Sequence, residues 1–276
     1  MAKFSYNLIA YGDEPLEKSI ERLHRYGYDA AELVGEPEKF KVDEVTKILD
    51  KFGFKVSSIC PIFTFERDLI SSNEKTRENA IRYTKSVIKF ASELGAQVIT
   101  VGPVSACMKI HPEAPREIEM DRAVRSLTEI GNYAADLKVN LAVEPWNRYE
   151  TYFINRIEQA LELARRVNLE NVGVMGDLFH MNIEEPSIPD AIKMAGNKLY
   201  HFHIADTNRA APGRGHLNFE PIINALKSVG YSGYLTMELL PPLADPFIAL
   251  KGGMYEEFFD RYTKESIDYL RKIWSE

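Results

Sequence analysis

Four short apolar runs in the second half of the chain end on residue types that bind divalent metals. Glu144 follows Leu141-Ala142-Val143, and Asp177 follows Val172-Gly173-Val174-Met175-Gly176. His203 follows Leu199-Tyr200-His201-Phe202, and Glu238 follows Tyr234-Leu235-Thr236-Met237. Three carboxylates brought close together repel one another, and a divalent cation is the economical compensation. Three carboxylates with one imidazole favour one Mn²⁺, Mg²⁺ or Co²⁺ over a thiolate-type zinc site, with Mn²⁺ first and Zn²⁺ left open. Beyond His203 the segment 201–216 adds Asp206, Asn208 and Arg209, then Pro212-Gly213-Arg214-Gly215-His216. That is too many polar groups for a stretch that serves the core alone.

The elements that must hold these residues are marked by glycine. Gly27, Gly53, Gly95 and Gly230 each separate the end of a helical pattern from the start of an apolar run, as a left-handed helix C-cap requires. The apolar runs are eight: residues 4–10, 28–34, 54–60, 96–102, 139–144, 172–177, 199–205 and 233–239. Between them lie stretches of 3.6-residue periodicity. One opens at Asn73, a suitable N-cap; others cover 117–138, with Gly131 inside it, 158–166 and 254–273. Alternating strands and helices without a Pro/Gly/Ser linker predict one (β/α)₈ TIM barrel spanning residues 1–276 as a single domain. A doubly wound open sheet is disfavoured, because Tyr11-Gly12-Asp13-Glu14 follows the first run where a glycine-rich dinucleotide fingerprint would stand. In a barrel the active site lies at the carboxyl ends of the strands, where the four ligand types fall.

Composition narrows the partners. The 276 residues are 45% hydrophobic and 27% charged, with a net charge of −7, which argues against nucleic acid as a partner. No apolar stretch is long enough for a membrane span, and the charged start excludes a signal peptide, so a soluble cytoplasmic protein is expected. Cys60 and Cys107 have neither a CxxC nor a Cys/His spacing and read as buried or near-buried reduced thiols.

The stretches Glu144-Pro145-Trp146-Asn147-Arg148-Tyr149-Glu150-Thr151 and Asp177-Leu178-Phe179-His180-Met181-Asn182, together with the segment 201–216, resemble the ketose 3-epimerases. These are the D-tagatose and D-psicose 3-epimerases of the xylose-isomerase-like barrels. The resemblance is specific over residues 141–240 and architectural over 1–140. It implies that Glu144, Asp177, His203 and Glu238 bind the metal, and that Glu144 and Glu238 are the catalytic acid/base pair. It also implies that Glu150, His180 and Arg209 contact the sugar. The chain departs from the family in carrying Leu178 where threonine is usual, Asp206 where glutamate is common, and Pro145-Trp146 in place of smaller residues. These changes bear on which sugar is used.

The chemistry so implied is epimerisation at carbon 3 of a ketose or keto-sugar acid through a cis-enediolate. The metal would chelate the ketone and neighbouring hydroxyl, and two carboxylates would exchange protons on opposite faces. An aldose–ketose isomerase or a keto-inositol dehydratase could use the same platform. Metal-dependent apurinic-type endonucleases share the Asp-x-x-His pattern of Asp177 and His180, but strands three and four end Ile59-Cys60-Pro61 and Val101-Gly102-Pro103, without their further histidines. A non-catalytic sugar or metal binder would not need the acid/base pair. The absence of a glycine-rich phosphate loop favours an unphosphorylated sugar, while Arg209 and Arg214 leave room for a carboxylate. Whether the chain forms a homo-oligomer, dimer or tetramer, stays open.

Other residues have plainer expected roles. His201 should lie deeper in the barrel as a packing or supporting residue, and Trp146 should either stack on sugar or fill the mouth. Phe63, Phe65 and Tyr11 should shape a pocket wall, and Lys109 and His111 should be solvated in the loop 103–116. For Arg214 and His216, substrate and a neighbouring subunit both remain open.

Overall fold

Glycine punctuation sets the alternation of elements. Helices α1 (Leu16–Tyr26) and α2 (Val42–Phe52) end at Gly27 and Gly53, with φ of +79° and +60°. There the amides of Tyr28 and Phe54 reach back to the carbonyls of Leu23 and Leu49, so each helix closes with a 6→1 bond and the chain turns into a strand. The computed structural model describes residues 2–102, 104–241 and 256–275.

All eight expected runs become strands: β1 (Lys3–Asn7), β2 (Ala30–Gly35), β3 (Lys55–Pro61), β4 (Val98–Val101), β5 (Asn140–Val143), β6 (Val172–Asp177), β7 (Leu199–Ile204) and β8 (Tyr234–Met237). They pair in parallel in chain order, and β1 pairs with β8 to close the barrel. The first run stops early. Asn7 is the strand's last residue, and its side chain accepts from the Ile9 amide, capping a short 3₁₀ turn over Leu8–Tyr11. The helical layer continues with α3 (Glu74–Glu93), α4 (Arg116–Asp136), α5 (Ile157–Val167), α6 (Leu178–Glu184), α7 (Ile188–Ala195), α8 (Phe219–Ser228) and α9 (Glu256–Ser275). Asn73 caps α3 as expected, accepting from the Lys75 amide at 2.9 Å. Gly131 sits inside α4 because a Cβ there would come within 2.7 Å of Leu169; close packing outweighs its helix propensity. The last helix was expected from Met254, which lies outside the described residues.

Two strands carry one extra residue. Ala31 pairs with Val56 and Glu32 with Ser58, so Ser57 is the extra residue in β3. Val174 pairs with Leu199 and Met175 with His201, so Tyr200 is the extra residue in β7. Bulges of this kind re-aim side chains near active sites, and Gly173 leaves the room that Tyr200 needs. Above the bulges the barrel interior is polar: Glu32, Ser58, His201 and His203 are fully or almost fully buried. No helix among the described residues is long and apolar enough to cross a membrane.

Candidate active site

Glu144 and Glu238 each stand one residue past the last residue of their strand, β5 and β8. Their amides still bond to the neighbouring strand, Glu144 to the Val101 carbonyl at 2.7 Å and Glu238 to the Ile204 carbonyl at 3.1 Å. Two backbone positions on separate strands are thereby held rigidly at the mouth. Asp177 ends β6 and caps α6: its Oδ1 accepts from the Phe179 amide at 2.8 Å, which leaves Oδ2 turned inward. His203 completes the group from β7. Its Nδ1 lies 3.8 Å from Glu144 Oε1, 3.9 Å from Asp177 Oδ2 and 3.7 Å from Glu238 Oε2.

One ligand atom from each of these four residues lies within 4.8 Å of the others. Asp177 Oδ2 and His203 Nδ1 are buried and have no hydrogen-bond partner. Buried polar atoms are normally paired, and orphaned donors of these types, converging on one point, fit a hard divalent cation. The four residues expected to bind metal are brought together as a set.

Electrostatics sets the two glutamates apart. Burial lifts the Glu144 carboxyl well above its usual range, opposed by His203 and reinforced by Glu238 and Asp177. Burial acts in the same direction on Glu238, but His203 and Arg209 outweigh it and hold that carboxyl well below the usual range. Among the protein groups alone, protonation is favoured at Glu144 and disfavoured at Glu238. Divergence of two facing carboxyls is a mark of acid/base sites.

The residues expected to meet substrate stand on the same rim. Arg209 donates through Nη2 to Glu238 Oε2 at 2.5 Å, and its Nη1 lies 4.0 Å from Glu150 Oε1. The guanidinium rests over the Phe179 ring, 4.7 Å from its centre. His180 is buried, which lowers its pKa despite Asp177, and its Nδ1 accepts from both the backbone and side-chain amide of Asn147. Its Nε2 is therefore the protonated nitrogen and faces Asp177 Oδ2 at 3.7 Å. Asn147 also donates to Glu150 at 2.9 Å, so one amide spaces two candidate substrate residues.

A cavity of about 260 Å³ opens over the group, walled by Ile9, Ile62, Phe63, Trp146 and Leu240 with Cys60 and Cys107 beside them. Trp146 lines the cavity, its ring 6.1 Å from His180 and against Gly102. A larger cavity of about 440 Å³, bordered by Lys55, Gln97 and Tyr234, lies at the opposite end of the barrel and gathers no such set of groups.

Several expectations need correction. Tyr11 does not line the pocket; it stacks on Tyr6 and bonds to Thr263 in the layer under α9. Phe65 is 62% exposed, whereas Phe63 does form wall. Lys109 is not solvated: it is buried against Asp68 at 2.7 Å and Glu113 at 3.1 Å. His111 is exposed, as expected. Arg214 pairs with Glu265 on α9, and His216 bonds to Thr207.

Two polar residues of the first strands belong to the site and were missed. Asn7 donates to Glu238 Oε1 at 2.9 Å. Glu32 accepts from His203 Nε2 through Oε1 at 2.9 Å and from His201 Nε2 through Oε2 at 2.8 Å. Burial would raise the Glu32 carboxyl, but the two imidazoles pull it down to about 2. His201 thus has the deeper supporting position expected of it.

A closed parallel barrel with its polar cluster at the C-terminal ends of the strands defines a TIM-barrel enzyme. The chain belongs to the xylose isomerase-like TIM barrel family, whose profile matches residues 20–273. It is 28% identical over 277 aligned positions to a D-psicose 3-epimerase of Ruminiclostridium cellulolyticum, covering 92% of this chain and 90% of the relative. It is also 28% identical to a 3-dehydro-D-guloside 4-epimerase of Escherichia coli, covering 89% and 95%. The crystal structure of a D-psicose 3-epimerase from Clostridium cellulolyticum, solved with D-tagatose, superposes with a TM-score of 0.89 at 27% identity, covering 99% of both chains.

Proposed function

We propose that this chain is a divalent-metal-dependent carbohydrate epimerase acting at carbon 3 of an unphosphorylated ketose. The observation that carries the reading is the convergence of Glu144, Asp177, His203 and Glu238 on one point, with the two glutamates rooted on separate strands. The relatives named as epimerases support the reaction class.

Glu144, Asp177, His203 and Glu238 would hold the cation, Mn²⁺ being our first choice. When bound, it supplies positive charge where negative charge develops on the substrate oxygens. The remaining work belongs to side chains. Glu238, kept ionised by Arg209, takes the proton from carbon 3, and the electron pair of that C–H bond moves towards the ketone oxygen to give an enediolate. Glu144, acting as the acid partner, returns a proton to the opposite face of the same carbon. The reverse reaction exchanges the two roles. Each such group contributes on the order of 10²–10⁴-fold. His180 Nε2–H, Arg209 and Glu150 position the hydroxyls.

Charge favours a neutral sugar over a keto-sugar acid. Arg209 is already paired with Glu238, and Arg214 with Glu265. Glu144, Glu150 and Glu238 line the cavity and would repel a substrate carboxylate.

The test is incubation of Mn²⁺-loaded protein with a panel of ketoses in D₂O. Deuterium at carbon 3 of an epimerised product supports the reading; label at carbon 1 or 2 alone identifies an isomerase and overturns it. The 4-epimerase relative makes the carbon position the decisive readout, because label at carbon 4 would place the chain with that relative instead.

A further inference from the structure

Directly beneath the four converging residues lies a second buried group that none of the proposed steps uses. Glu32, in the middle of β2, is fully buried, and each of its oxygens is engaged. Oε1 accepts from His203 Nε2 at 2.9 Å. Oε2 accepts from His201 Nε2 at 2.8 Å and from Ser58 Oγ at 2.5 Å. Ser58 also lies 3.3 Å from His201 Nε2, so Glu32, His201 and Ser58 form one network. Both bulged strands feed it. The extra residue at Ser57 brings Ser58 opposite Glu32, and the extra residue at Tyr200 brings His201 opposite Met175 and His203 opposite Asp177.

A neutral imidazole has one N–H and one lone pair, and the partner of the N–H decides which nitrogen keeps the lone pair. Glu32 binds the proton of His203 at Nε2. With His203 neutral, as metal binding requires, the lone pair is left on Nδ1, the nitrogen that faces Glu144, Asp177 and Glu238. A carboxylate behind a ligand imidazole fixes both the ring's orientation and its tautomer. The carboxylate here is itself fixed, because His201 and Ser58 hold its far oxygen.

We propose that Glu32 is a positioning residue for the metal seat, holding His203 with Nδ1 as the donor, and that His201 and Ser58 act through Glu32 by anchoring its second oxygen. This rests on reading the upper four residues as a cation site. It assigns three buried polar side chains to metal affinity rather than to barrel packing or proton transfer.

The test measures Mn²⁺ binding by calorimetry for the wild type, Glu32→Gln and Ser58→Ala, with melting of the metal-free proteins as a check of folding. Glu32→Gln is expected to weaken Mn²⁺ roughly 10–100-fold, the usual cost of losing such a support, and Ser58→Ala to weaken it by a smaller factor. Turnover of Glu32→Gln at saturating Mn²⁺ should return to within a few-fold of wild type, since Glu32 touches no reacting atom; loss of kcat that excess Mn²⁺ does not restore would overturn the assignment. Wild-type affinity in a folded Glu32→Gln protein would also overturn it. Should that variant fail to fold, Ser58→Ala and His201→Gln decide, and wild-type affinity in both defeats the proposal. A wild type that binds no Mn²⁺ refutes the cation site itself, a result distinct from either of these.

Discussion

Arg209 reaches Glu238 with Nη2 at 2.5 Å, from a backbone held at φ +60°. A non-glycine residue in that region is uncommon and costs energy unless its surroundings enforce it. Here they do, through bonds from the Arg209 amide to the Asp206 carbonyl and from the Leu240 amide to the Arg209 carbonyl. Strain is thus accepted where it aims the guanidinium at the carboxylate assigned as base. Arg209→Lys keeps the charge but loses the planar fork. We expect kcat/KM to fall roughly 10–100-fold, the equivalent of one charge-assisted hydrogen bond, as measured by steady-state kinetics on the preferred ketose.

Glu238→Gln preserves shape and removes the base. Turnover should drop by about 10²–10⁴-fold, while circular dichroism shows an unchanged fold. Solvent deuterium exchange at carbon 3 should be lost with it. Exchange persisting at the wild-type rate would show that another group removes the proton.

The loop that carries Arg209 is organised by Asp206, whose carboxylate accepts from the amides of Thr207, Gly213 and Leu217. Asp206→Asn turns one acceptor into a donor facing an amide. We expect KM to rise on the order of tenfold, as the loss of one such bond implies, with kcat less affected. Gly215→Ala should act similarly, because its Cβ would collide with the Asp206 carboxylate.

Lys109 and Asp68 form a buried ion pair that ties the loop after β4 to the loop after β3. Lys109→Ala leaves Asp68 uncompensated, which typically costs about 3–5 kcal/mol. For a chain of this size that is a fall in Tm of roughly 6–20 °C, measurable by calorimetry. A change below about 2 °C would mean that the pair contributes little.

Both thiols should be sluggish towards iodoacetamide at neutral pH. Burial pushes Cys107 up to about 11, with Glu150 adding to the effect, and raises Cys60 well above the usual thiol range. Only the thiolate reacts, so Cys107 alkylation should accelerate about tenfold per pH unit from pH 8 to pH 10. Because Cys107 lines the cavity, saturating sugar should slow its labelling, as read by mass spectrometry of the modified peptides.

The cluster proposed to seat the metal was legible in the sequence because its members share a recognisable position: each closes an apolar run, and the run's end is the barrel mouth. Glu32 escaped because it lies within a strand, in Ala-Ala-Glu-Leu-Val, where a charged residue passes for the polar face of a half-buried strand. The usable signal was that the faces of a parallel barrel strand are both covered, so a mid-strand carboxylate must be paired inside. Asn7 was hidden for a related reason, since the first run reads as unbroken through Ala10 and conceals the turn that Asn7 caps. Lys109 was misread because loop position suggests solvent, while the acidic partners that bury it, Asp68 and Glu113, come from a different loop and from the far end of its own.

The extra residue at Tyr200 makes parity part of this enzyme's site. Side chains on a strand alternate between faces, so one added residue inverts the alternation for all that follow. Deleting Tyr200, whose side chain lies on the outer face against Gly173 and the Glu170 carbonyl, removes no proposed ligand, yet it would turn His201 and His203 towards the helical layer. The barrel can therefore lose its proposed metal seat through a change in count alone, with every proposed metal ligand still present in the chain.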